Sequence, residues 1–181
     1  LISGQKAGLG AAVLCWILGI VATGYSIVVR LRNLLYSKGF LKTHNANTTV
    51  FSIGNITLGG TGKTPLVIWL CNLLRQKNIR CAVLTRGYKS IKDPRLKTQD
   101  YSDEVAILAE SCPEAEVIVN PDRVVGAAEA ISTFGAKALI MDDGFQHRRL
   151  VRDLDVVTID ATCPFGYGKI FPAGLLREPV A

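Results

Sequence analysis

The sequence predicts an α/β fold, a mainly parallel sheet with flanking helices, preceded by one membrane-spanning helix. Three observations predict it. Short apolar runs bounded by Gly, Pro, Asn or Asp alternate with stretches whose apolar residues keep helical spacing. The first of those runs leads into a glycine-rich turn that opens a helix. Ahead of both, no residue between Lys6 and Arg30 is charged.

The uncharged stretch Ala7–Val29 carries Leu14, Trp16, Ile17, Leu18, Ile20, Val21, Ile27 and Val28. A bilayer core takes about 20 apolar residues of helix, which this stretch supplies. A signal peptide has an apolar core of about 7–15 residues and then a small-residue cleavage site. A buried core helix is the other alternative. Arg30, Arg32, Lys38 and Lys42 follow directly. Such a basic cluster marks the cytoplasmic side and attracts anionic phospholipid headgroups.

The strands and helices come next. Thr49–Gly54 reads as a buried strand. Thr64-Pro65 opens a helix with Leu66, Leu70, Leu73 and Leu74 on one face, because Pro is tolerated in a first turn. Cys81–Thr85 is a second strand. The polar stretch from Lys89 to Tyr101 reads as a loop, and Ser102 as the N-cap of a helix that has Asp103 and Glu104 in its first turn and stops at Pro113. Glu116–Val119 is a third strand, Asn120-Pro121-Asp122 starts a helix that Gly135 ends, Lys137–Asp142 is a fourth strand and Leu154–Asp160 a fifth. The remainder is rich in Gly and Pro and reads as loop. Right-handed crossovers would place the first strand centrally, with the glycine turn at its carboxyl edge.

Net charge +6 and a pI near 9.2 suit acidic partners: phospholipid, nucleotide or a phosphorylated substrate. No aromatic-basic motif accompanies the charge, so nucleic acid is not expected. Cys15, Cys71, Cys81, Cys112 and Cys163 show no metal-ligand spacing and suit a reducing cytoplasm.

Gly59-Gly60-Thr61-Gly62-Lys63-Thr64 carries the chemistry. Glycines let successive backbone N–H groups turn inward on phosphate oxygens at a helix N-terminus. Lys63 would reach the β- and γ-phosphates, and the Thr64 hydroxyl would ligate Mg²⁺. The common pattern has Gly where this chain has Thr57. A loop of the partitioning-ATPase type would need Lys where Leu58 stands, which sets that reading aside. Ile140-Met141-Asp142-Asp143 is an apolar strand ending in carboxylates, the position from which such enzymes hold Mg²⁺. Two adjacent carboxylates raise each other's pKa unless a cation lies between them. The expected class is thus a P-loop NTPase-type domain over residues 43–181, behind an anchor and basic juxtamembrane segment over 1–42.

Four motifs, in order, resemble the tetraacyldisaccharide 4'-kinases of lipid A synthesis: Gly54-Asn55-Ile56-Thr57 running into the phosphate loop, Thr85-Arg86-Gly87-Tyr88-Lys89, Asp142-Asp143-Gly144-Phe145-Gln146-His147-Arg148, and Pro172-Ala173-Gly174-Leu175-Leu176-Arg177-Glu178-Pro179. Arg32-Asn33-Leu34-Leu35-Tyr36 is similar too, and the family also has a hydroxyl residue at the Thr57 position. The resemblance implies an ATP- and Mg²⁺-dependent kinase on the cytoplasmic side of the bacterial inner membrane. Such a kinase would phosphorylate the 4'-hydroxyl of a tetraacylated disaccharide 1-phosphate. It implies Asp103 as general base, Glu104 near the metal, and Arg86, Arg123 and Arg177 on phosphates. Asp143, Gln146, His147 and Glu178 are its further candidate contacts. The family's second lobe supplies a histidine that assists the base, and this chain reads as a fragment without that lobe. The rivals are a membrane-bound nucleotide switch and an inactive truncated kinase.

Overall fold

The computed structural model describes residues 8–87 and 103–180. Tyr88, Lys89, the loop expected to Tyr101 and the Ser102 cap lie outside the described residues, as does the side chain of Asp103. Helix α1 (Leu9–Ser37) is followed by β1 (Thr49–Asn55), α2 (Lys63–Gln76), β2 (Cys81–Thr85), α3 (Asp103–Ser111), β3 (Glu116–Val119), α4 (Arg123–Phe134), β4 (Ala138–Asp142) and β5 (Leu154–Thr158). The alternating pattern therefore forms as read. β5 stops two residues sooner than expected, and α1 runs eight residues past the uncharged stretch.

The sheet order is β3-β2-β4-β1-β5, with β1, β2, β3 and β4 parallel. The expectation of a central β1 needs refining. β1 is interior, but β4 takes the middle, between β1 and β2. Along β2 and β4 alternate residues serve different cores, as period-two strands covered on both faces must. Cys81, Val83, Ala138 and Ile140 join Val67, Leu70 and Leu74 of α2 and Leu108 of α3. Ala82, Leu84, Leu139 and Met141 join Ala127 and Ala130 of α4.

Helix ends follow local chemistry. The Asp122 carboxylate accepts from Val124 N at 3.0 Å, and Gly135 closes α4 in the left-handed conformation (φ 63°).

By its internal contacts the chain packs as two units. One gathers Thr43–Gly54 and Gly62–Val157; the other gathers the chain up to Lys42, Asn55–Thr61 and the chain from Thr158 onward. In this second unit, α1 is 29 residues, about 44 Å at 1.5 Å per residue, and is long and apolar enough to cross a membrane. Only Ala22 and Val29 of it are buried. The Tyr25 hydroxyl donates to Arg177 O at 3.1 Å, and Asn33 Nδ2 reaches Glu178 Oε2 at 3.5 Å.

Candidate active site

β1 and β4 run parallel side by side, with Ile53 level with Asp142. Within the unit that gathers Thr43–Gly54 and Gly62–Val157, the start of α2 and the turn Asp142-Asp143-Gly144-Phe145 therefore lie near one another. That turn is seated on β1 by close packing. Gly144 N donates to Ile53 O at 3.1 Å. A Cβ on Gly54 would stand 2.5 Å from Phe145 Cβ, and one on Gly144 2.5 Å from Met141 Cβ. Arg152 Nη1 donates to Phe145 O at 2.8 Å and pairs with Asp155 at 3.2 Å. Asp143 has φ 51°, a left-handed conformation that Asp tolerates better than most side chains.

This seating brings Lys63 Nζ to 3.6 Å from Asp143 Oδ1. Lys63 and Thr64 form the first turn of α2, behind Gly62 at φ 76°. Asp142, 6% exposed, has its carboxyl pushed up to about 6, first by burial, then by Asp143 and Glu104; Lys63 and Arg123 oppose the rise. A carboxylate so crowded by negative charge has the character of a cation ligand. Among the described residues no three His, Cys, Asp or Glu side chains form a metal cage. Mg²⁺ needs none, since it is usually held by one or two carboxylates with substrate phosphates. Asp142 and the Thr64 hydroxyl fit that requirement.

Arg123 is 3% exposed and follows the Asp122 cap. Its Nη1 donates to Asn120 O at 2.8 Å and its Nη2 to Asp142 O at 3.3 Å. It braces the ends of β3 and β4 together, and burial lowers its pKa to about 10. A sequence-based reading as a phosphate contact did not anticipate this backbone role. Its only local signal was a basic residue at a helix start, where the dipole disfavours it. His147 is half-buried and pushed down to about 4, first by burial and then by Arg123, so it is neutral at pH 7. Arg86 and Glu104 are exposed, and Gln146 is half-buried.

In the other unit, Thr57 is buried and bridges Leu176, Leu58 N donates to Leu175 O at 2.7 Å, and Arg177 N donates to Ile56 O at 2.8 Å. The first half of the glycine loop is thus held strand-like by the Leu175-Leu176-Arg177 motif. Asn55 Nδ2 donates to Gly59 O at 3.2 Å, and the Thr61 and Thr158 hydroxyls bond at 2.7 Å. Gly59 takes φ 115°, a value open to glycine, while Gly60 has open space around its Cβ position. Arg177 and Glu178 belong to this unit, beside Tyr25 and Asn33 of α1. Tyr25 and Thr158 were not among the residues singled out from sequence, and Asn55 was named only within a motif. For Tyr25 the signal was present: a hydroxyl inside an apolar run.

Residues 14–181 match the family model described as Tetraacyldisaccharide-1-P 4'-kinase (LpxK). The chain is 44% identical over 168 residues to the Tetraacyldisaccharide 4'-kinase of Syntrophotalea carbinolica, covering 87% of this chain and 47% of that protein. It is 41% identical over 186 residues to that of Desulfatibacillum aliphaticivorans, covering 97% and 50%. A crystal structure of LpxK from Aquifex aeolicus in complex with ATP superposes with TM-score 0.81 at 35% identity, covering 92% of this chain and 55% of that one. The chain spans about half the length of the curated relatives it matches.

Proposed function

Because the chain belongs to the tetraacyldisaccharide-1-P 4'-kinase family, we propose that it binds ATP with Mg²⁺ at the β1–α2 loop and phosphorylates the 4'-hydroxyl of a tetraacyldisaccharide 1-phosphate. The observation that carries this reading is the meeting of Lys63 with Asp143 beside the buried Asp142, at the carboxyl ends of adjacent parallel strands. Carboxyl ends are where open α/β sheets bind ligands.

Thr57, Gly59, Gly60, Thr61, Gly62, Lys63 and Thr64 would cradle the phosphates through backbone N–H groups and the Lys63 ammonium. Lys63 is poised on Asp143 and exchanges that partner for a phosphate oxygen when nucleotide arrives. Asp142 and Thr64 would hold Mg²⁺, with Glu104 nearby. The bound ion offsets charge on the β- and γ-phosphates. Asp103, at the start of α3, would take the proton of the sugar hydroxyl. Neutral His147 can orient a polar ligand without adding charge. Arg86, Arg177, Gln146 and Glu178 are assigned to substrate or phosphate contacts.

Residues 1–42 would keep the chain on the cytoplasmic face of the inner membrane, where phospholipid and a lipid substrate share one surface, and 43–181 would carry the kinase chemistry. Labelled ATP supplied with the disaccharide 1-phosphate, in membranes containing the protein, tests the reading. Label on the lipid is expected. ATP hydrolysis without lipid labelling would favour a nucleotide switch instead. Asp103→Ala should reduce turnover much more than ATP affinity; equal loss of both would move Asp103 into the nucleotide site.

A further inference from the structure

Away from the glycine loop, at the carboxyl end of α2 and the start of β2, lies a cavity of about 220 Å³. Cys71, Cys81 and Cys112 all line it, one from α2, one from the first position of β2 and one just past α3. All three are free thiols, and Arg75, Arg80 and Asn72 line the same cavity. A core cysteine ordinarily acts as a small hydrophobe against packed neighbours. These three are buried in the core that α2, β2 and α3 share, and they also border space large enough for a small molecule, beside two guanidinium groups. Glu114 lies 3.6 Å from Arg75, which leaves the wall with a net positive charge. Metal chemistry does not suit the cluster, since no three ligand side chains among the described residues are placed to hold an ion.

Cys71, Cys81 and Cys112 share one buried cluster, so that their thiols influence one another's ionisation. The neighbouring Cys71 thiol lowers the Cys81 thiol against the opposing effect of burial, while the Cys71 thiol is pushed up. A thiolate is the attacking species in thiol–disulfide exchange, so Cys81 leads and Cys71 follows.

We propose that this cavity is a thiol–disulfide exchange site for a small anionic disulfide, with Cys81 as the attacking sulfur and Cys71 as the resolving one. Cys81 Sγ attacks one sulfur of R–S–S–R, forming Cys81–S–S–R and releasing one RS⁻. Cys71 Sγ then displaces the second RS⁻ and leaves a Cys71–Cys81 disulfide. The two cysteine protons go to the two released thiolates. The cysteine pair is oxidised and the small disulfide is reduced. Cys112 stays a thiol, and the new bond ties α2 to β2.

The test uses the chain in detergent with Cys15→Ser and Cys163→Ser, which removes the two cysteines outside the cluster. Dithiobisnitrobenzoate, an anionic disulfide, should release two aryl thiolates per folded chain and leave no aryl mass on the protein. A Cys71–Cys81 cross-linked peptide and an alkylatable Cys112 should follow. Cys71→Ser should stop at one stable aryl adduct on Cys81, and Cys81→Ser should slow release at least tenfold. Among aliphatic disulfides, dithiodiglycolate should react several-fold faster than cationic cystamine. The site is refuted if the parent's thiols react only at its rate of global unfolding, or if Cys112 is labelled first. Equal rates for the two aliphatic disulfides would refute the anionic class. The parent's kinetics decide the first point even where a serine variant fails to fold.

Discussion

Gly54→Ala tests whether the carboxylate turn is positioned by its contact with β1. The added Cβ would lie 2.5 Å from Phe145 Cβ, 2.9 Å from Phe145 N and 3.2 Å from Phe145 Cα. Ordinary contact begins near 3.4 Å, so the backbone at Phe145 must retreat by roughly 1 Å. It is poorly free to do so, because Gly144 N is bonded to Ile53 O and Phe145 O to Arg152. Overpacking of a tight site costs about 1–3 kcal/mol. A displacement near 1 Å at a reacting centre can lower turnover on the order of 100-fold. Urea unfolding followed by circular dichroism should show a lower midpoint with unchanged slope, and ATP-dependent turnover should fall beyond what the unfolded fraction explains. Gly60→Ala is the stability control, since nothing lies within 4 Å of its Cβ position; its midpoint should not move. Unchanged stability and turnover in Gly54→Ala would refute the positioning argument.

Other expectations follow from the site and from α1. Between its unfolded value near 3.8 and about 6, Asp142 binds more protons folded than unfolded, so its ionisation removes stability as pH rises through that window. At 1.36 kcal/mol per unit this is on the order of 3 kcal/mol; Asp142→Asn should raise the unfolding midpoint at pH 7.5 in the absence of Mg²⁺ while abolishing turnover. His147 acts in the opposite sense: its folded pKa of about 4 lies below 6.5, so stability is lost as pH falls through that interval, and His147→Gln should flatten that limb in a pH series of thermal melts. Lys63→Ala should reduce turnover by roughly 100- to 1,000-fold, the usual effect of removing one preorganised charge from a transition state, with a rate near wild type excluding Lys63 from the chemistry. Ile20→Lys places a charge in the middle of α1, where insertion costs about 2.5–3.5 kcal/mol more; less protein should remain with membranes after alkaline extraction.

Much of this protein could be read locally. α1 follows from uninterrupted apolar composition, and α4 from Asp122 and Gly135, because capping needs only neighbours in the chain. The glycine loop announced itself, since backbone turns of this kind demand glycine within a few residues. Asp142 was found as a strand end beside a second acid. The motifs around Gly54, Asp142 and Arg177 carried the family, which the sequence matches confirm.

Tertiary packing decided the rest. That β4, not β1, takes the middle of the sheet depends on which strand pairs with which, and apolar strands of similar composition carry no local label for their partners. Arg123 reads as a phosphate contact in sequence, and only the fold shows that it is buried and braces the carbonyls of Asn120 and Asp142. Gly54 ends the first strand and Gly144 belongs to the Asp-Asp-Gly motif, but the reason for glycine at both shows only when Phe145 and Met141 are seen to fill the space beside them. The segment after Asp160 read as loop, yet its Leu175-Leu176-Arg177 backbone pairs with residues 56–58 and holds the first half of the glycine loop. Sequence determined which side chains this protein has for the proposed phosphate chemistry, because those choices act over a few bonds. Only the folded chain decided which of them meet, because contacts between residues a hundred positions apart are set by the packing of whole elements.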